Sequence, residues 1–328
     1  MSAPPHVSVL MTAFNREPYI ALAIESVLAQ TYGDFELVVV DDRSVDRTVE
    51  IARGYERDPR VRVVVNERNL GDYPNRNHAA TFARGRFIKY HDSDDLMYAQ
   101  CLKVMVDGLE AAPEAGFGLS AGSGGPADPD SQYPMLLTPR MCYQREFLGS
   151  GLFECGPASA LFRAEVFRDL GGFPVAGVGS DYLMWLYACA RTSIALLPGR
   201  LFWYRVHPGQ EIHSSRAGYE YAVAAGAAWS ALNASDCPLT AEEREQAKRN
   251  WAYIVARGAC RQLRGGHWRI AYDQLRHAGL TTGTGLKYLR PPRRNPLAGT
   301  PGSSGNGSAI ARLRAGVSSD GARLVRRP

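Results

Sequence analysis

Phe35-Glu36-Leu37-Val38-Val39-Val40-Asp41-Asp42 is the stretch whose reading decides the fold. Its second half is continuously apolar and β-branched, then stops at two carboxylates. Such a run fits a strand covered on both faces, as in parallel sheets, rather than one with a wet face. Upstream, Val7-Ser8-Val9-Leu10-Met11 reads as another strand. Asn15 is expected to cap the helix that follows, with Pro18 in its first turn and Ile20, Ile24, Val27 and Leu28 on one face. Downstream come a helix near 46–55, a strand at 61–65, a helix at 75–83 and a strand at 86–90. This βαβα rhythm implies a parallel, doubly wound α/β sheet with right-handed crossovers and flanking helices.

Beyond residue 100 the pattern is less regular. Gly, Pro and small residues between 116 and 139 predict loops around one or two short strands. Helices are expected at 165–170 and 182–191, and a strand at 201–206. Residues 219–278 read as a helical C-terminal extension broken near Pro238, with Thr240 and Glu243 forming a capping box. After Tyr288 the composition turns to Pro, Gly, Ser and Arg, which predicts a disordered basic tail over 291–328. The expected division is 1–215, 216–290 and 291–328.

The chain has 328 residues, 45% of them hydrophobic and 22% charged, which is ordinary for a globular protein. No apolar run is long enough for a transmembrane helix, and the N-terminus lacks the pattern of a secretory signal, so a cytoplasmic location is expected. Six cysteines match no zinc spacing and read as free thiols. The net charge of +5 is uneven. From Lys287 onward nine Lys/Arg face one acid, Asp320, a balance of +8 that leaves −3 for the rest. The body therefore offers no basic face for nucleic acid. The tail suits peripheral contact with an anionic membrane surface.

Two acidic clusters close predicted strands: Asp41-Asp42 and Asp92-Ser93-Asp94-Asp95. In an open α/β sheet ligands bind outside the carboxyl ends of the strands. Carboxylates crowded at one edge repel unless a cation neutralises them, and oxygen donors suit Mg²⁺ or Mn²⁺, whose open positions take substrate phosphates. Asp and Asn also close turns and cap helices there, and for Asp41-Asp42 alone both readings stand.

Several segments, in order, resemble family 2 glycosyltransferases. They are 7–16 (VSVLMTAFNR), 39–48 (VVDDRSVDRT), Asn69-Leu70-Gly71, Arg76-Asn77, 83–88 (ARGRFI), Gly171-Gly172-Phe173 ahead of Ser180-Asp181, and Tyr204-Arg205-Val206-His207-Pro208-Gly209. The likeness covers about residues 5–215. It implies the GT-A fold and inverting transfer of a sugar from a nucleotide diphosphate to an acceptor hydroxyl. That reading implies a nucleotide-sugar donor, a glycan, lipid-linked or small-molecule acceptor, and Mn²⁺ or Mg²⁺. A homodimer is a further possible assembly.

The resemblance also implies roles. Thr12, Ala13 and Phe14 would line the nucleotide, with Phe14 stacking on the base. Asp42 would accept the imide N–H of uracil or thymine. Arg76, Asn77 and Asp92 would lie near the nucleotide. Asp94 would ligate the metal, with Asp92 and His207 as further ligand candidates. Asp181 would be the general base, and Gly156, Ser159 and Trp185 would border the acceptor. Alternatives stay open: Phe14 and Trp185 also suit a core, and Asp181 suits the first turn of a helix for electrostatic reasons. Ser180 replaces the usual Glu before Asp181, and Ala99 replaces a frequent Pro. The rival functions are a non-catalytic sugar-nucleotide or glycan-binding protein of the same fold and a nucleotidyltransferase. The latter would need a Gly-rich basic loop where Thr12-Ala13-Phe14-Asn15-Arg16 stands.

Overall fold

The computed structural model describes residues 3–120, 132–153, 155–208, 210 and 217–281. The expected tail, and with it the expected membrane contact, lies outside them. Strands β1 (Val7–Ala13), β2 (Phe35–Asp41), β3 (Val61–Val65) and β4 (Phe87–Asp92) alternate with helices α1 (Ile20–Leu28), α2 (Thr48–Arg53) and α3 (Asp72–Ala80). β1 lies between β2 and β4, and β3 flanks β2, all parallel. This is the parallel half-sheet expected from the continuous apolar runs.

The remaining elements are β5 (Leu96–Met97), α4 (Cys101–Glu110), β6 (Ala115–Ser120), β7 (Met135–Leu137) and α5 (Pro139–Phe147). Then follow β8 (Ala160–Arg163), α6 (Ala164–Asp169), α7 (Ser180–Cys189), β9 (Ser193–Leu197), β10 (Phe202–Trp203), α8 (Ala217–Asn233), α9 (Ala241–Arg264) and α10 (Trp268–His277). The main sheet runs β3-β2-β1-β4-β8-β6-β9-β7, and β5 pairs with β10 apart from it. β8 is antiparallel to both β4 and β6, so the sheet is mixed beyond β4.

Alternation along β1 builds two cores. Val7, Val9 and Met11 face α1 and α4, whereas Leu10 faces the layer that holds Phe162, Trp185 and Trp251. The capping box forms at Thr240–Glu243. The helical extension is not an isolated appendage: Ala224, Ala228, Trp251 and Val255 are buried in the same core as Leu10. No helix among the described residues is long and apolar enough to cross a membrane.

Two local expectations change. Asn15 does not cap α1, which starts at Ile20 with no side-chain cap. Asn15 sits at φ 53°, and its Oδ1 accepts from Val45 N–H at 2.9 Å. An Asn tolerates that left-handed backbone and here ties two strand-end loops together. Between 116 and 139 two short strands stand as expected, β6 inside the main sheet and β7 at its edge, but Thr138 with Pro139 starts α5 as cap and first residue.

Candidate active site

Because β1, β2 and β4 are parallel, their carboxyl ends meet at one edge. Thr12 is in register with Asp92 on one side and Val40 on the other, and Ala13 pairs with Asp41. The chain then turns out through Phe14, which is 43% exposed and so presents an aromatic face. Thr12 and Ala13 are nearly covered.

Asp42 organises its own surroundings. Its backbone N–H donates to Ala13 O at 2.7 Å. Its Oδ1 accepts from Asn66 Nδ2 and from Leu70 N–H, and its Oδ2 from Gly71 N–H, each at 2.8 Å. Gly71 stands at φ 90°, which favours glycine and directs the chain into α3. A carboxylate offers about four acceptor positions, so one remains on Oδ2. Asp41 is turned to its own loop, accepting from Ser44 N–H and Oγ.

Arg76, on α3, joins the next two carboxylates. Its Nε donates to Asp72 Oδ1 at 2.8 Å and its Nη2 to Asp92 Oδ1 at 2.7 Å. Burial opposes its charge, but the two acids raise its pKa well above the ordinary arginine value. Burial would push Asp92 up, yet the Arg76 charge and hydrogen bond hold it below the usual carboxylate range. Nη1 of Arg76 is buried without a partner among the described residues, a cost that a ligand oxygen would relieve.

Asp181 opens α7 and is 8% exposed. Burial pushes its pKa up to about 7, while the Tyr182 N–H at 2.7 Å and the Arg76 charge pull the other way. Asp72 and Asp92 push it further up. Asp181 therefore shares one electrostatic neighbourhood with Arg76 and Asp92, from the opposite, antiparallel half of the fold. Ser180 does not touch it: its Oγ donates to Gly177 O and accepts from Ala176 N–H, closing the preceding turn.

Asp94 forms the other end of the site. Its Oδ2 accepts from Arg16 Nε at 3.0 Å and lies 2.9 Å from His207 Nε2. Tyr19 lies against the His207 ring, with centroids 4.6 Å apart. Arg205 lies over Tyr19 and Trp203 and donates through Nε to Asp94 O at 2.7 Å. Its N–H reaches Asp95 Oδ1 at 2.9 Å. Burial, then the Asp92 charge, pushes Asp95 up to about 8. The segment after β10 is thus strapped over the acidic loop after β4.

The acceptor candidates divide. Gly156 has open space where a Cβ would be, and Ser159 is buried beside it in a short 3-10 turn (Pro157–Ser159). Lys89 Nζ, wholly buried in β4, donates to Ala158 O and fastens that turn to the strand leading to Asp92. Trp185 instead has no exposed surface, stacks on Phe162 at 5.9 Å and donates to Cys155 O. It offers no face to a ligand. Asn77 is likewise committed: its Nδ2 and Oδ1 bind the backbone O and N–H of Phe173, each at 2.8 Å. A Cβ on Gly172 (φ 80°) would meet Asn77 Oδ1 at 2.6 Å, so glycine is needed for that clamp.

Sequence reasoning did not single out Asp72, Arg16 or Arg205 for the site. The last two stood inside the segments that carry the resemblance, beside Phe14 and His207, and that proximity was the available signal. Among the described residues no three His, Cys, Asp or Glu side chains form a ready metal cage. Mg²⁺ and Mn²⁺ sites of nucleotide enzymes seldom need one, because substrate phosphates complete the shell. Asp94 Oδ2 is an oxygen donor of the kind such an ion takes, with the His207 Nε2 nitrogen 2.9 Å beside it.

A parallel half-sheet with acids at the carboxyl ends of β2 and β4, continued by a mixed half beyond β4, is the arrangement of a GT-A-type glycosyltransferase fold. The family model described as Glycosyl transferase family 2 matches residues 8–171, half of the chain, and the chain belongs to that family. The UDP-Glc:alpha-D-GlcNAc-diphosphoundecaprenol beta-1,3-glucosyltransferase WfgD of Escherichia coli is 40% identical over 100 residues, 30% of this chain and 39% of its own length. The chain spans about half or less of the curated relatives it matches, 55% and 40% for two from Bacillus subtilis. Among solved structures, residues 1–349 of S. aureus TarS in complex with UDP-GlcNAc align with a TM-score of 0.56 at 19% identity, over 84% of this chain and 91% of that one. The mannosyltransferase PcManGT from Pyrobaculum calidifontis, in complex with GDP-Man and Mn²⁺, aligns with a TM-score of 0.59 at 20% identity, over 88% and 79%. These structural likenesses establish the fold.

Proposed function

We propose that the chain is an inverting, metal-assisted glycosyltransferase that moves a sugar from a UDP- or dTDP-sugar to an acceptor hydroxyl, with Asp181 as general base. The observation that carries the reading is the buried Asp181 carboxylate, poised at about 7 in the field of Arg76 and Asp92. A base of that strength holds a proton-accepting form at neutral pH and still takes a proton as the acceptor oxygen attacks. The acceptor O–H proton passes to Asp181, the oxygen bonds to the anomeric carbon, and the bond to the diphosphate breaks on the far side. Inversion follows from that in-line arrangement.

Phe14 serves as the base platform. The remaining acceptor position on Asp42 suits the single imide N–H of uracil or thymine, whereas guanine presents more donors on that edge. Arg76 Nη1 and Asp92 lie toward the nucleotide. Asp94 and His207, with Asp92 beside them, would hold Mn²⁺ or Mg²⁺. When bound, that ion offsets the charge that builds on the leaving diphosphate. Gly156 and Ser159 border the acceptor, and the Lys89 contact keeps their turn in place.

The acceptor of WfgD is lipid-linked, which makes a lipid diphosphate the first acceptor class to test on this chain. A catalytic part on the cytoplasmic side of the membrane, met through the basic tail, is consistent with that class. The deciding experiment is a nucleotide-release assay with UDP-, dTDP- and GDP-sugars, with and without Mn²⁺ and with lipid-linked acceptor. Metal-dependent release from uridine or thymidine donors is expected. Binding without release under all conditions would favour the non-catalytic reading.

A further inference from the structure

The contact between Arg16 and Asp94 has no part in the transfer step, yet it occupies the oxygen proposed for the metal. Arg16 Nε lies 3.0 Å from Asp94 Oδ2, across 78 residues of sequence. His207 Nε2 already sits 2.9 Å from the same oxygen. A divalent cation brought to Asp94 Oδ2 would face a full positive charge at hydrogen-bond range, an arrangement that costs heavily in a partly buried site. Among the described residues the guanidinium is otherwise held by its own loop, through Nη1 to Phe14 O at 2.9 Å and Asn15 O at 3.1 Å. Its side chain is 22% exposed, so it can turn without disturbing the core. It also stands between Phe14, the platform for the base, and Asp94, the metal end. A bound diphosphate has to run through that interval.

We propose that Arg16 is an exchangeable counter-ion: in the free protein it neutralises Asp94, and an entering nucleoside diphosphate draws it off, clearing the carboxylate for the metal. The inference rests on the assignment of Asp94 as metal ligand. Its consequence is that nucleotide and metal bind cooperatively, by more than their direct contact supplies, and that this excess belongs to Arg16. Coupling of this kind is reciprocal. The metal alone binds weakly because it must displace an internal cation, and the nucleotide alone binds through the same guanidinium.

Isothermal titration of the full chain tests this, with Mn²⁺ alone and with Mn²⁺ in the presence of UDP, dTDP or GDP. In Arg16→Gln, and in Arg16→Met as a second variant that keeps the aliphatic stem, Mn²⁺ alone should bind about tenfold more tightly than to wild type, within the usual range of site coupling. The factor by which the nucleotide tightens Mn²⁺ should shrink correspondingly. Thermal unfolding of both variants verifies that they are folded. Mn²⁺ affinity that is unchanged or weaker in the folded variants, while wild type binds Mn²⁺ with nucleotide, overturns the role of Arg16 and leaves the Asp94 assignment standing. If wild type holds no Mn²⁺ with any of the three nucleotides, or Asp94→Asn holds it as wild type does, the Asp94 assignment falls and this inference with it.

Discussion

Asp42 and Asp94 are the same residue type at the ends of strands one place apart from β1, yet the fold treats them differently. Asp42 accepts three internal hydrogen bonds, two from backbone N–H groups, and fixes the entry to α3. Asp94 is held instead by two side chains, Arg16 and His207. A carboxylate satisfied by its own backbone is part of the scaffold; one satisfied by a part-exposed arginine side chain is open to exchange with a ligand. Asp181 belongs with Asp94 in this respect, since among the described residues it accepts from the adjacent Tyr182 N–H and burial raises its pKa.

The largest effect should come from Asp181→Asn. Shape and the nucleotide end are preserved while the proton acceptor is lost, so kcat is expected to fall by roughly 10²–10⁴-fold with nucleotide affinity unchanged. Steady-state kinetics beside nucleotide titration measure this, and wild-type turnover would remove the base. Next is Asp94→Asn. Loss of the ligand oxygen should lower kcat/KM by about 10²-fold, equivalent to about 2.7 kcal/mol. Metal-dependent nucleotide binding should weaken with it, and unchanged Mn²⁺ dependence would erase the contrast with Asp42.

Asp42→Ala should do its damage to the fold. Leaving Asn66, Leu70 and Gly71 without their acceptor is expected to cost about 2 kcal/mol, or roughly 3 °C in Tm for a chain of this size. Thermal unfolding reads it directly. A Tm equal to wild type together with abolished nucleotide binding would make Asp42 a pure ligand residue and collapse the comparison from the other side.

The parallel half was legible because its signal is local: apolar runs of strand length, each ending at a turn or carboxylate. Beyond β4 the signal was present but overridden. Leu102, Met105, Val106 and Leu109 in α4 are buried at helical spacing, and Thr138-Pro139 is a cap followed by a good first residue. Gly- and Pro-rich surroundings masked the second. β8 could not be foreseen as the antiparallel partner of β4, since pairing across about 70 residues leaves no mark in either strand alone. The site divides in the same way. Strand ends placed Asp92 and Asp94 together, but whether Trp185 faces a ligand or a core depends on Phe117 and Phe162 stacking over it. Asn77 reads as a nucleotide contact until its two polar atoms meet the Phe173 backbone. Arg16 could find Asp94 only once β1 and β4 were known to be neighbours in parallel register.

A pH titration separates the scaffold acid from the chemical one with the smallest effect. If Asp181 must be ionised to accept a proton, kcat/KM, which reports the free enzyme, should fall about tenfold per pH unit below an apparent pKa near 7. The same raised pKa acts on stability in the opposite sense. The folded chain holds the Asp181 proton more tightly than the unfolded chain, whose carboxyl titrates near the ordinary value of 3.8. Its contribution is therefore complete below that value and is lost as pH rises toward and through about 7. Asp181→Asn cannot ionise and escapes the loss. Its Tm relative to wild type should rise between pH 4 and pH 8, while its activity loses the acid limb. A Tm difference that stays flat across that interval would place the Asp181 carboxyl in an ordinary, solvated setting and leave the neutral-pH base without its physical cause.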